Sequence, residues 1–307
     1  MRVLAFTMMT IFLAPITYAA TIEGDKNYFN ETLKSRGDGQ LFQNRFIVYQ
    51  IQIPATIGVD QGFNMISILY DTALETTVSA TALYSMDNTN QGTRPPSHNW
   101  RRFDDEVDCS LGAPYPTGYE RGHLIPSCYW QWTPSVRLAT FYCLNQAPQN
   151  INLNRGWWSH TVEVELAALA KQRNGFIMTG VSEATLDTVS GHRIPLYFWK
   201  LVCTWNPTTG QAEVYGYYAR NDATTDVRVC GSQATIAQFA MGPNYRAMLG
   251  IAWALADADL RGNRNINGAL PTGLDCANAV ELPAGVCLRP YSDFDQCSQN
   301  CCVDEEE

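Results

Sequence analysis

No stretch of this chain is apolar for the ~20 consecutive residues that cross a bilayer as a helix. No internal repeat and no linker marks a domain boundary. Histidine is scarce, with 4 in 307 residues, so imidazole chemistry is restricted to His98, His123, His160 and His192. Positive charge is also short: 21 Lys and Arg face 30 Asp and Glu, a formal net charge of -9. Such a surface has no general affinity for a polyphosphate backbone, so any attraction to nucleic acid has to be local. Part of the acidity is the terminal run Asp304-Glu305-Glu306-Glu307, expected to be solvated. The group Cys297, Cys301 and Cys302 holds no CxxC pair and no nearby histidine, so the tetrahedral zinc pattern is missing.

What is present points to export. Arg2 precedes an apolar run from Val3 to Ile16, and Thr17 and Ala19 are small enough for a signal-peptidase site. Residues 1–19 therefore read as a signal peptide whose removal leaves a soluble, secreted chain with no membrane attachment. The 10 cysteines all lie beyond it, and in an exported protein they read as disulfides of unspecified connectivity. The sequon Asn30-Glu31-Thr32 is consistent with that compartment. Residues 20–264 read as one domain, and 265–307 as a Cys-rich extension with an acidic tail.

Two β-rich runs, Met65–Tyr70 and Thr77–Tyr84, predict a hairpin. Residues 87–122, rich in Gly, Pro, Asn and Asp, predict a long loop, followed by a strand-like His123–Pro126. Residues 154–173 are the best helix candidate, with Lys171 and Arg173 in the last turn and Asn174-Gly175 as the stop. Strands are predicted at Phe176–Val181, Leu196–Thr204 and Ala212–Tyr218, and Tyr197, Trp199 and Leu201 read as one buried strand face. Ile236–Met248 and the Trp253 region are mixed. Strands interrupted by one or two helices, without βαβ alternation, indicate an α+β fold with a largely antiparallel sheet and flanking helices.

The chemistry concentrates in Glu120-Arg121-Gly122-His123, which places a carboxylate, a guanidinium, a flexible glycine and an imidazole in four residues. Phosphodiester cleavage needs a base for water and positive charge for the pentacovalent phosphate. Downstream lie Asn145-Gln146-Ala147-Pro148-Gln149 and, nine residues after Asn145, Asn154-Arg155-Gly156-Trp157-Trp158. With these motifs the chain resembles the DNA/RNA non-specific endonucleases of the ββα-metal superfamily. Leu69–Thr72, Ala139–Phe141, Thr179–Val181, Ile194-Pro195 and Phe198–Lys200 extend the likeness across residues 60–205. Among its branches it looks most like secreted animal proteins related to endonuclease domain-containing 1.

The resemblance implies that His123 is the general base and Asn154 the one direct protein ligand of a Mg2+ ion, with Mn2+ as a possible substitute. Magnesium keeps most of its waters and needs few protein ligands. Arg121 would steady the phosphate, Asn145 would support the site by orienting His123 or Asn154, and products would carry a 5′ phosphate. Two departures stand out. Glu120 replaces the family's aspartate, a longer arm that would loosen the site. The family's glutamate, eight residues beyond the metal asparagine, is Val162 here. Glu163 takes its place only if the helix start is irregular, because one residue turns a helix by ~100°; Glu165 competes by helix face. Arg94, Arg101 and Arg102 are candidates for a further family arginine. Trp157 and Trp158 read as core rather than as base-stacking platforms. The competing reading is a catalytically impaired secreted binding protein; a disulfide-rich structural module leaves the histidine–asparagine pattern unexplained.

Overall fold

The computed structural model describes residues 17–21, 45–53, 63–84, 100, 115–129, 137–163, 166, 175–222, 229–231, 233–260, 274–276 and 278–281. In chain order the strands are β1 (Thr17–Thr21), β2 (Phe46–Ile53), β3 (Phe63–Asp71), β4 (Thr76–Tyr84), β5 (Tyr119–His123), β6 (Gln146–Asn150) and β7 (Gly175–Val181). There follow β8 (Thr185–Val189), β9 (His192–Pro195), β10 (Tyr197–Asn206), β11 (Gln211–Arg220), β12 (Val229–Gly231) and β13 (Val280–Glu281). The main sheet has 9 strands in the order β1-β2-β3-β4-β7-β10-β11-β12, with β13 also paired to β11. Only β1–β2 and β11–β13 are parallel; the others are antiparallel, from β2–β3 through β11–β12. The fold is α+β with a largely antiparallel sheet.

The hairpin predicted at residues 65–84 is β3–β4, closed by Asp71. Its Oδ1 accepts the amides of Ala73 (3.0 Å) and Leu74 (3.2 Å), a side-chain mimic of a backbone turn. β7, β10 and β11 occupy the three further predicted strand positions. β10 is buried continuously from Phe198 to Thr204, so the single buried face expected at Tyr197, Trp199 and Leu201 is corrected to burial on both sides. Phe198 packs on Trp158 (6.0 Å between ring centroids). Trp199, on the opposite face, lies over Gly180, where a Cβ would meet its ring at 2.7 Å. A sheet covered on both faces loses the polar–apolar alternation that marks a half-exposed strand.

The layer on the Trp199 face includes a helix, Pro243–Leu260, packed on β3 and β4. It replaces the mixed region expected there. Tyr245, Met248, Leu249, Ala252 and Trp253 are its buried residues, spaced as one helical stripe. Glu183 caps its start, accepting the Asn244 amide at 3.0 Å on Oε2, with Pro243 at the first helical position. Arg45 grips Asp71 through Nε–Oδ1 (2.9 Å) and Nη2–Oδ2 (2.6 Å) and reaches Glu183 at 3.1 Å. Tyr245 donates to Asp71 at 3.1 Å. This network fastens the helix start to the β3 end.

Leu274 and Cys276 belong to the core, and Cys203 of β10 is bonded to Cys276 across 73 residues. Closing a loop of that length removes about 4 kcal/mol of unfolded-chain freedom. Cys143 is also disulfide-bonded. The start of the Cys-rich extension is thus tied to the sheet by a covalent bond and by β13; its remainder lies outside the described residues. β1 spans the expected cleavage position after Ala19. Among the described residues no helix is long and apolar enough to cross a membrane.

Candidate active site

β5 and β6 form a separate antiparallel pair, with His123 opposite Gln146, Gly122 opposite Ala147 and Glu120 opposite Gln149. A single turn, Ile151–Leu153, then leads into a helix at Asn154–Glu163. Two strands and a helix thus carry all three motifs. Residues 119–122, expected as loop, are strand: their own β-propensity is poor, and the pairing with β6 overrides it. Gly122 is required for close approach. A Cβ there would meet Gln149 Cβ at 2.6 Å as well as its side-chain amide oxygen.

The side chain of His123 is buried. Its ring stands perpendicular to Phe141 (4.6 Å) and lies 4.5 Å from Trp100. Its Nε2 is 3.5 Å from Thr140 Oγ1, and that hydroxyl gives its proton to Arg137 O at 2.7 Å. Toward the imidazole, therefore, Thr140 can only accept.

Asn145, fully buried, grips backbone. Its Oδ1 accepts from Ile125 N (2.9 Å), and its Nδ2 donates to Ile125 O (2.9 Å) and Thr140 O (2.8 Å). The expectation that it would orient His123 or Asn154 directly is corrected: it bonds neither side chain. It locks the segment after His123 to the one that carries Thr140, so its effect on the imidazole is indirect.

Glu120, three residues before His123 and roughly 10 Å along the strand, reaches the start of the helix. Its Oε1 accepts from Asn154 Nδ2 at 2.8 Å. Its Oε2 accepts from Arg155 Nε at 2.9 Å and lies 2.9 Å from Arg155 Nη2. Asn154 is nearly buried, and among the described residues its Oδ1 has no hydrogen-bond partner. Arg121 makes no hydrogen bond among the described residues; its guanidinium lies 4.6 Å over the Tyr115 ring, and its buried Nε is unpartnered. Tyr115 in turn packs on His192 at 4.7 Å. Burial, opposed by Arg121, raises the Tyr115 hydroxyl well above its usual range. Burial, and then the charge of Arg121, lower His192.

The helix is π-wound, with five-residue hydrogen bonding, and Gly156 within it is non-helical (φ -98, ψ -119). Irregularity at this point is the condition under which Glu163 would stand where the family has its glutamate. Glu163 is buried and accepts from Lys200 Nζ at 2.9 Å, while Tyr129 donates to its carbonyl at 3.2 Å. Lys200 is fully buried, 5.3 Å from the Trp158 ring and 5.7 Å from that of Tyr129. Burial lowers its pKa, and Glu163 opposes that shift. Trp158 is core, as expected, and Trp157 packs partly buried against the core. Arg94, Arg101, Arg102, Glu165 and His98 lie outside the described residues, as do the side chain of His160 and, Leu166 apart, the part of the expected helix from 164 to 173.

Sequence reasoning assigned no role to Arg155, Tyr115, Thr140, Lys200 or Asn221. Asn221 is fully buried and joins the site to the main sheet. Its Oδ1 accepts from Asn150 N (2.7 Å), and its Nδ2 donates to Pro148 O (2.9 Å) and Pro195 O (3.0 Å). Arg155 had a legible signal, as a cation beside Asn154. Asn221, far along the chain, had none.

Among the described residues no three His, Cys, Asp or Glu side chains converge as a metal cluster. What they do hold is one hard oxygen, Asn154 Oδ1, unpartnered beside a carboxylate. That donor set suits a largely hydrated hard cation better than zinc or copper.

A two-stranded ribbon and the helix after it carry the imidazole, the carboxamide and the arginine. The sequence model of the DNA/RNA non-specific endonucleases matches residues 48–241. The chain belongs to the DNA/RNA non-specific endonuclease family. It is also similar, at 17% identity and a TM-score of 0.45, to a solved structure described as the EndoG/EndoGI complex, covering 59% of this chain and 78% of that one. No curated protein sequence matches it.

Proposed function

We propose that this non-specific endonuclease is secreted, depends on a divalent metal, Mg2+ with Mn2+ as a substitute, and leaves 5′-phosphate ends on DNA, RNA or both. The observation that carries the proposal is the oriented Asn154 carboxamide, its amine end on Glu120 and its oxygen unpartnered, at the start of the helix that follows the ribbon carrying His123. Asn154 would hold the metal, which when bound would polarise the phosphate and stabilise the departing 3′ oxygen. His123 would take the proton of the attacking water. Arg121, without a carboxylate partner, is available to neutralise the phosphate, and Tyr115 limits its swing. Placement among the secreted animal branch rests on the leader segment and the cysteines.

A catalytically impaired binder was suggested by Glu120 and the displaced glutamate. Glu120 reaching Asn154 favours activity instead. The test is incubation of the purified protein with plasmid DNA and with RNA, in Mg2+ and in chelator, beside His123→Ala. Cutting should require the metal and fall by at least about a hundredfold in the variant. Substrates left equally intact by both proteins in Mg2+, Mn2+ and Ca2+ would overturn the proposal.

A further inference from the structure

We infer that Arg155 is a positioning residue for the metal-binding carboxamide: it holds Glu120 across the strand–helix junction, and Glu120 fixes which end of the Asn154 amide faces the metal. The inference rests on the reading of Asn154 as metal ligand. An asparagine amide has an accepting end and a donating end, and only the oxygen can ligate a cation. An ionised carboxylate accepts only. With Glu120 Oε1 2.8 Å from Asn154 Nδ2, the amide must turn its oxygen away from Glu120. Without that acceptor the amide is free to rotate by half a turn and present N–H groups to the cation.

Glu120 needs a hold of its own, because its side chain is 20% exposed and has one methylene more than aspartate. Arg155 supplies it. Both Nε and Nη2 lie 2.9 Å from Oε2, a side-on grip by the guanidinium fork. One carboxylate oxygen is then committed to Asn154 and the other to Arg155. Two competing arrangements are thereby suppressed. Glu120 does not pair with Arg121, its neighbour on β5, which keeps its guanidinium for phosphate. Nor does it turn to ligate the metal itself. The longer acidic side chain and the arginine act together: an aspartate at position 120 would draw the carboxylate one methylene back toward β5, away from both partners.

The test is calorimetric titration of the purified protein with MnCl2 alone, without nucleic acid, with melting temperatures recorded on the same samples. The variants are Asn154→Ala, Arg155→Ala, Arg155→Lys, Glu120→Asp and the double Glu120→Asp/Arg155→Ala. Wild type should bind one Mn2+, and Asn154→Ala should lose it. Arg155→Ala should weaken binding about fivefold, the scale of a partly exposed ion pair, with melting unchanged and part of the loss recovered in Arg155→Lys. Glu120→Asp should weaken binding similarly, and the double variant should be no weaker than Glu120→Asp, since the shorter carboxylate has already let go of the arginine.

If Arg155→Ala and Glu120→Asp bind as wild type does while Asn154→Ala does not, the positioning role is overturned and the metal reading stands. Losses that add in the double variant, or that track lowered melting, also overturn it. If Asn154→Ala binds Mn2+ as wild type does, the metal reading itself fails.

Discussion

Lys200→Met would take away the ammonium that Glu163 holds and leave the space filled. The lysine side chain is 0% exposed and that of Glu163 8%, with 2.9 Å between Nζ and Oε1. An intact buried pair contributes little net stability, because desolvation offsets most of the attraction. Removing one member is different, for it takes this compensation from the other's buried charge: a cost of up to about 3–5 kcal/mol is expected. Loss of the ammonium from Trp158 and Tyr129 adds roughly 1 kcal/mol. In a chain of this size each kcal/mol moves the melting temperature by about 2–4 °C, so Lys200→Met should melt on the order of 10 °C lower. Glu163→Gln should be damaging too, and the double variant Lys200→Met/Glu163→Gln should lose clearly less than the sum of the two. The assay is thermal melting of all four proteins, with urea unfolding as a second measure. A Lys200→Met protein that melts within about 2 °C of wild type, or losses that simply add, would refute the argument that a charge pair is sealed beneath the helix.

Gly122→Ala puts a Cβ 2.6 Å from that of Gln149, the rigid base of a strand side chain, so the two active strands must part. The cost should be about 1–3 kcal/mol, and because His123 moves with β5, a shift near 1 Å should lower kcat about a hundredfold; plasmid cleavage within about threefold of wild type would exclude the clash. His192 titrates below its ordinary value of 6.5, first through burial and then through Arg121. The unfolded chain therefore takes up this proton before the folded one, so stability is intact above pH 6.5 and falls as the pH drops through the folded pKa. Melting temperatures of wild type and His192→Gln, compared from neutral pH to about pH 5, should converge on acidification; parallel curves would show that His192 is not held neutral.

Features written in local period were legible, and those made by contact between distant segments were not. β3, β4, β7, β10 and β11 announced themselves by runs of β-branched and aromatic residues, and the spacing of Asn145 and Asn154 exposed the site because both flank one short ribbon. The helix at Pro243–Leu260 carried an equally plain stripe, Tyr245, Met248, Leu249, Ala252 and Trp253. Pro243 and Gly250 obscured it: both count against a helix interior, yet here the first opens the helix and the second is exposed on it. At β5 the composition spoke for a loop, and only β6, 23 positions further on, made it a strand.

The carboxylate of Glu120 shows the limit most sharply. Compared position by position, Glu120 in place of aspartate is an added methylene and hence a looser site. That inference holds only if the partner stays where an aspartate would meet it. Here the carboxylate spans two partners, Asn154 Nδ2 and Arg155, both on the helix after the next strand. Its length is set by that span. A substitution that departs from a motif is a defect only relative to the motif's own surroundings, and in this chain Arg155, the residue next to Asn154, is part of those surroundings. Shortening Glu120 should therefore loosen the site that its length was expected to loosen.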